Sequence, residues 1–309
     1  MKIAFFETKN EEKSFFRSKL KEHELFFFEE PIQHILTKPE AFEAVSVFVG
    51  SRISDDILEK LPKLRYLQTR SSGYEHLKCT QIYERGLIAS NVAGYAGPAV
   101  AEFAFSLLLN ATRKTHIALQ RSQRGDTRYD DLKGTELFGR TIGILGLGTI
   151  GLQMARIANG FGMKIFGYSR TYRSVFDELN IEFTSLEEVL KHADILMLAL
   201  PLTPSTRNLI DTEKSRSIKK ESIIVNVARE EIIESSLYRT LPNIIACDVC
   251  GEVSLAGKEH FLYTPHMAYY TKEALHKILE ISLRNMEQFL KGEEPQDCLK
   301  LECKKNYAH

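Results

Sequence analysis

The sequence predicts an α/β protein of two domains, each built on a parallel β-sheet. Three observations support this reading. Short apolar runs alternate with amphipathic helical stretches through both halves of the chain. Three glycines spaced G-x-G-x-x-G stand between a strand pattern and a helix pattern. With 309 residues, the chain has room for two cores of ordinary size.

In residues 1–97, "KIAFF", "ELFFF", "AVSVFVG" and "LRYLQTR" read as strands, and "KSFFRSKLK" and "SDDILEKLPK" as intervening helices. Such alternation implies parallel pairing with crossover helices. "GPAVAEFAFSLLLNATRKTHIAL" predicts one long helix that starts at Pro98. Val100, Phe103, Ala104, Leu107 and Leu108 give it a broad apolar face, and it reads as the crossover into the second domain. "RSQRGDTRYDDLKGTELFGR" is polar and glycine-punctuated, a surface connection. The runs "TIGILGLG", "MKIFGYS", "ILMLAL", "SIIVNVA", "IIACDV" and "FLYTPH" are nearly continuous in apolar residues, as expected of parallel strands covered on both faces. "SSLYRTLPNII" reads as a trimmed helix-to-strand connection. "TKEALHKILEISLRNMEQFLKG" predicts a helix that ends near Gly292 and returns to the first domain. The predicted domains are therefore 1–97 plus 267–309, with 98–266 inserted between them.

Composition narrows the function. Hydrophobic residues make up 43% and charged residues 27%, the balance of a globular protein. The 41 basic and 41 acidic side chains cancel, so no global field favours nucleic acid or an anionic membrane. The apolar run in "MKIAFFETKNEEK" is too short for a secretory core, and no stretch reaches transmembrane length. A cytoplasmic protein is expected. Five cysteines are an odd number, which argues against a closed disulfide framework. Cys247 and Cys250 form C-D-V-C at a predicted strand end, where a three-residue offset sends the side chains to opposite faces. Adding Cys298 and Cys303 yields no recognised zinc spacing, so no metal site is predicted. His76 and His192 read as ordinary surface or loop histidines.

Gly146, Gly148 and Gly151 form the glycine motif between "TIGIL" and "GLQMARIANGF". The first permits a tight turn, the second lets backbone approach a pyrophosphate, and the third lets helix and strand pack closely. The helix start, Thr149 and Ile150 included, offers unpaired N–H groups and partial positive charge. Dinucleotide binding follows from motif and context together. Seventeen residues separate Gly151 from Ser169, in "GYSRTYR", where Ser169 and Arg170 stand in place of an acid that would bond the adenosine ribose 2′-hydroxyl. A carboxylate there would oppose a 2′-phosphate by about 4 kcal/mol per charge pair at 4 Å and intermediate dielectric. Arginine reverses the sign, and each charge-assisted bond contributes about 1.5–3 kcal/mol. Ser169, Arg170 and Arg173 therefore favour NADP over NAD.

Arg229, Glu252 and His266 each follow a predicted parallel strand, at the carboxyl ends where open α/β sheets bind ligands. Hydride addition to a ketone makes an alkoxide that needs a proton and a positive neighbour. His266 suits the proton, Glu252 can orient the imidazole, and Arg229 can polarise a carbonyl or grip a carboxylate.

With these residues in place, the chain resembles the D-isomer-specific 2-hydroxyacid dehydrogenase family from about "VSVFVG" to "TKEAL". The shared segments are "TRSSGYEHL", "NVAGYAGPAVAEFAFSLLLNATRK", "GRTIGILGLGTIG", "LPLTPSTRNLI", "NVARE", "CDV" and "TPHMAYYT". The resemblance implies two domains of Rossmann-like or flavodoxin-like type with the active site in the cleft between them. It implies reversible hydride transfer between NAD(P)H and a small 2-oxo acid, giving the D-2-hydroxy acid. Backbone N–H groups of Ser72 and Gly73 would bind the substrate carboxylate, and Tyr95 and Tyr269 would line the pocket. Pro201, Thr206, Val227, Asp248 and Ala268 match cofactor positions, with Asp248 at the nicotinamide amide. A homodimer built partly on the helix from Pro98 is also implied.

Three features depart from the family pattern, one of them a short loop from Glu252 to His266. Glu230 replaces the glycine expected after the arginine, where a side chain could crowd the site or force the turn into unfavourable geometry. Glu252 comes one residue early, its usual place taken by Val253. One alternative is a glyoxylate or hydroxypyruvate reductase rather than a lactate-type enzyme: "YSR" suits the former, "HMAYYT" the latter. Another is a non-catalytic protein that senses NAD(P).

Overall fold

The computed structural model describes residues 1–77, 80–249 and 260–299. The chain forms two compact units, one of Met1–Tyr95 with the segment beginning at Lys272, the other of Ala96–Thr271. The sequence reading had placed the second crossing just after His266. It falls at Thr271 instead: Thr264, His266, Met267 and Ala268 donate hydrogen bonds to Asp248 and so stay with the second unit.

In the first unit the strands are β1 (Lys2–Phe5), β2 (Glu24–Phe27), β3 (Ala44–Val47), β4 (Tyr66–Thr69) and β5 (Ile88–Ser90). They pair in parallel in the order β2-β1-β3-β4-β5. β3 and β4 are buried along their whole length, and their polar Ser46 and Gln68 satisfy each other there, Ser46 Oγ donating to Gln68 Oε1. The connections carry α1 (Asn10–Lys19), α2 (Ile32–Ile35), α3 (Asp55–Glu59) and α4 (Thr80–Glu84). α3 is shorter than its apolar pattern suggests: Leu61 precedes Pro62, and a residue before proline is pushed out of the helical region. One face of the sheet packs Phe5, Phe16, Tyr66 and Phe289, the other Val45, Leu58, Leu61 and Leu67.

The second unit opens with α5 (Gly97–Arg113) and α6 (Thr115–Ser122), where the sequence predicted one continuous helix. The break is at Lys114, which adopts the left-handed region (φ 51°) while its ammonium bonds Asp131 O. Thr115 Oγ1 caps the bend by donating to Asn110 Oδ1. The sheet follows: β6 (Thr141–Leu145), β7 (Lys164–Tyr168), β8 (Ile181–Phe183), β9 (Ile195–Leu198), β10 (Ile223–Asn226), β11 (Ile244–Cys247) and β12 (Phe261–Tyr263). Its order is β12-β11-β10-β9-β6-β7-β8, all parallel. Between strands run α7 (Thr149–Gly160), α8 (Val175–Glu178), α9 (Leu186–His192) and the single turn α10 (Leu237–Thr240). The strand order reverses between β6 and β9, the topological switch point at which α/β sheets bind ligands. Cys247 lies fully buried within the apolar cluster of β9–β11; Cys250 and Cys303 lie outside the described residues. The chain then returns to the first unit through α11 (Lys272–Leu290), whose Ser282 carbonyl accepts from Gln68 Nε2.

Candidate active site

At the switch point the glycine turn separates what the chain itself needs from what it leaves open. Gly146 has φ 99°, and a Cβ there would lie 2.8 Å from the Ala199 carbonyl group. A Cβ on Gly151 would stand 1.9 Å from Gly146 O. Both glycines are thus required by the turn and its packing. Gly148 is different: its φ of −81° suits any residue, and a Cβ would meet nothing within 4 Å. It is exposed at the start of α7, whose amino terminus has no side-chain cap, Thr149 and Ile150 being the first helical residues. Free N–H groups and open space over Gly148 fit a pyrophosphate.

Ser169 and Arg170 directly follow the neighbouring strand β7. Ser169 Oγ donates to Thr171 O, while Arg170 is exposed. Arg173 is tethered by a 3.1 Å bond to Leu147 O, inside the glycine turn, and its guanidinium sits 5.6 Å from the Phe176 ring centroid. After β9, Thr206 Oγ1 donates to Pro201 O and accepts from Thr203 N–H, closing the loop on which both residues stand. Val227 is buried at the end of β10.

Arg229, Asp248 and His266 follow the adjacent strands β10, β11 and β12. Arg229 precedes a 3-10 turn over Glu230–Ile232, and its Nη1 donates to Ala228 O. Glu230 is not in the left-handed region, so the turn does not need the glycine that Glu230 replaces. Two buried residues that the sequence reading missed hold this loop. Asn226 accepts from Ala228 N–H and donates to both Arg229 O and the Tyr238 hydroxyl, and that hydroxyl donates to Glu230 O. The asparagine of "NVARE" was a visible signal; Tyr238 gave none.

The His266 loop is held differently. His266 has φ 55°, a left-handed conformation costing on the order of 1–2 kcal/mol for a residue with a Cβ. Its N–H donates to Asp248 O at 2.7 Å. The Asp248 carboxylate, 1% exposed, accepts from Thr264 Oγ1 (2.7 Å), Met267 N–H (2.9 Å) and Ala268 N–H (2.8 Å). His266 is exposed, its ring meets Tyr269 edge-on at 6.1 Å between centroids, and Ala268 is buried. Glu252 lies outside the described residues.

In the first unit, Ser72 and Gly73 follow β4. Ser72 Oγ donates to Val92 O, and Asn91 Nδ2 donates to Ser72 O. Tyr95 is buried, 8% exposed, at the end of that unit. His76 is not the ordinary loop histidine the sequence suggested: Nε2 lies 2.9 Å from Thr69 Oγ1. His192 does close a helix end, its Nδ1 3.0 Å from Glu188 O. Among the described residues no cluster of three His, Cys, Asp or Glu could hold a metal ion, and no helix is long and apolar enough to cross a membrane.

Comparison with known proteins defines the class. Residues 105–268 match the model of the D-isomer specific 2-hydroxyacid dehydrogenase NAD binding domain. Over 283 residues the chain is 32% identical to a glyoxylate reductase of Pyrococcus furiosus, covering 86% of this chain and 84% of that protein. It is 33% identical to the D-lactate dehydrogenase kk1H of Curvularia clavata, over 81% of this chain and 79% of the other. The apo-structure of D-lactate dehydrogenase from Escherichia coli superposes with a TM-score of 0.86 at 28% identity, covering 97% of this chain and all of that one. The class is a nicotinamide-dependent oxidoreductase. The chain belongs to the D-isomer specific 2-hydroxyacid dehydrogenase family.

Proposed function

We propose that the protein reduces a small 2-oxo acid to its D-2-hydroxy acid with NADPH as preferred reductant, His266 acting as proton donor. The observation that carries this reading is the placement of Arg229 and His266 after β10 and β12, with Asp248, just past the intervening β11, holding the His266 loop. A nicotinamide cofactor held at the glycine turn would supply the hydride that the carbonyl carbon takes up. His266 delivers a proton to the carbonyl oxygen as negative charge develops there, and in the reverse direction takes it back. Arg229 stabilises that developing charge and pairs with the carboxylate through its fork. Backbone N–H groups of Ser72 and Gly73 take the carboxylate, and Tyr95 and Tyr269 bound the substrate. Glu252 is assigned to orient the imidazole.

Gly146, Gly148, Gly151, Thr149 and Ile150 hold the pyrophosphate, and Pro201, Thr206 and Val227 border the cofactor. Asp248 acts on the nicotinamide end through the Met267–Ala268 backbone it fixes. Preference for NADPH is supported by Ser169, Arg170 and the tethered Arg173 beside the glycine turn. Arg170→Ala should weaken NADPH binding about ten- to a hundredfold, the loss of one charge-assisted bond, and leave NADH binding nearly unchanged. Equal losses for the two cofactors would defeat the 2′-phosphate assignment.

Glyoxylate or hydroxypyruvate is a second substrate reading, favoured by the Pyrococcus relative and by the basic "YSR" segment. Absorbance loss of NADPH against pyruvate, glyoxylate and hydroxypyruvate, with the chirality of the product, ranks the substrates and tests the activity. Absence of turnover on all three would reject it. A homodimer is supported by apolar residues on the outer face of α5 and α7, Leu109 and Ile157 among them, with Leu119 and Phe138 exposed nearby in sequence. Light scattering on the purified chain decides it, a monomer mass ruling it out.

A further inference from the structure

Three successive carbonyls after β4 each accept a hydrogen bond from a different source. Val92 N–H donates to Ser71 O at 3.0 Å, Asn91 Nδ2 to Ser72 O at 2.7 Å, and Ser71 Oγ to Gly73 O at 2.7 Å. None of these peptide bonds is cis. In a trans peptide the carbonyl and the following N–H lie on opposite edges of one plane. Fixing the three carbonyls therefore fixes the N–H groups of Ser72, Gly73 and Tyr74. Among the described residues those three N–H groups have no acceptor. Consecutive backbone donors left open at a bend are the groups from which an anion-binding loop is built.

The bond on Gly73 is backed by a chain of hydroxyls whose direction follows from counting protons. Ser71 has one hydroxyl proton, and Gly73 O, which can only accept, takes it. The 2.7 Å contact between Thr69 Oγ1 and Ser71 Oγ must then carry the Thr69 proton. The 2.9 Å contact between Thr69 Oγ1 and His76 Nε2 must carry a proton from the ring. Thr69 and Ser71 are buried, so water cannot substitute cheaply. His76 is anchored in turn: its carbonyl accepts from Ile53 N–H, and Leu77 bridges to Ile53. Burial lowers the pKa of His76, against the pull of Glu75 and Glu7, so the ring is neutral near pH 7 with one proton to place. The charged ring would donate through the same atom.

We infer that His76 is a positioning residue for the anion-binding loop, donating from Nε2 through Thr69 and Ser71 to lock the Gly73–Tyr74 peptide and present Tyr74 N–H as a third donor beside those of Ser72 and Gly73. The inference rests on the reading in which this loop takes the substrate carboxylate. Loss of the lock frees one peptide plane, so it acts on substrate binding. The cofactor residues belong to the second unit and are untouched.

The test joins ring spectroscopy with steady-state kinetics on the full chain. Nitrogen-15 NMR of the His76 ring should show Nε2 protonated and Nδ1 bare. His76→Leu should raise KM for the 2-oxo acid about tenfold, with kcat and the NADPH dissociation constant within twofold of the parent. His76→Gln, which keeps a donor near the Nε2 position, should restore KM to within about threefold. Ser71→Ala should match His76→Leu, and the double variant should be no worse than either. An Nδ1-protonated ring, an unchanged KM in His76→Leu, or a His76→Gln as impaired as His76→Leu would overturn the inference. If the parent chain turned over no 2-oxo acid, the underlying reading would fail instead. The ring nitrogens would still decide the relay, Nε2–H supporting it and Nδ1–H refuting it.

Discussion

The loops bearing Arg229 and His266 leave the same sheet two strands apart and are stabilised in opposite ways. The Arg229 loop has ordinary backbone angles and is held by neutral groups, the Asn226 amide and the Tyr238 hydroxyl. The His266 loop is strained at the histidine itself and is held by a buried carboxylate with three donors on it. A neutral network tolerates loss of one member because each bond contributes only about 1 kcal/mol. A buried carboxylate does not, because its donors are left facing nothing when it goes. The proposed proton donor, His266, would need its position fixed more tightly than the longer, more adaptable Arg229, and the stronger clamp is on the His266 loop.

Asp248→Asn should have the largest effect. It removes one acceptor and sets an amide NH2 against a backbone N–H, costing about 2–3 kcal/mol of stability by denaturant titration and at least about tenfold in turnover. An Asp248→Asn variant as stable and active as the parent would contradict the clamp. Tyr238→Phe should cost less, about 1 kcal/mol, because Asn226 Nδ2 keeps Arg229 O as its acceptor. A loss as large as that of Asp248→Asn would erase the distinction between the loops.

The smallest effect concerns the first unit, where the loop after β4 relies on a titratable group. Burial holds the folded-state pKa of His76 below its ordinary 6.5, so folding excludes a proton. That contribution is fully present above pH 6.5 and is lost as pH falls through the folded value. Stability measured from pH 7 downward should therefore decline less steeply in His76→Gln than in the parent. Parallel curves would show that His76 does not titrate differently on unfolding.

Much of the fold was legible because strands buried on both faces write themselves as apolar runs, as "SIIVNVA" and "IIACDV" do. β5 and β8 escaped because "IAS" and "IEF" each interrupt the apolar run with a polar residue, and "IEF" carries two exposed positions. The kink at Lys114 escaped because a left-handed lysine leaves no compositional trace. At the site, the glycine turn was legible since Gly146 and Gly151 are demanded by backbone contacts. Asp248 was visible as a matched acid, but its bonds to residues 264, 267 and 268 span sixteen to twenty positions, beyond any local motif. The His76 relay was hidden for a related reason: its parts are three short polar residues whose connection exists only once β4 has ended and the chain has turned back.

The most direct measurement compares the parent chain with His266→Gln, following NADPH binding by fluorescence and 2-oxo acid reduction by absorbance. The expected result is cofactor affinity within about twofold of the parent and turnover reduced on the order of 10²–10⁴-fold, the range lost with a general acid. Turnover surviving in His266→Gln would contradict the assignment of His266 as proton donor and with it the account of the site.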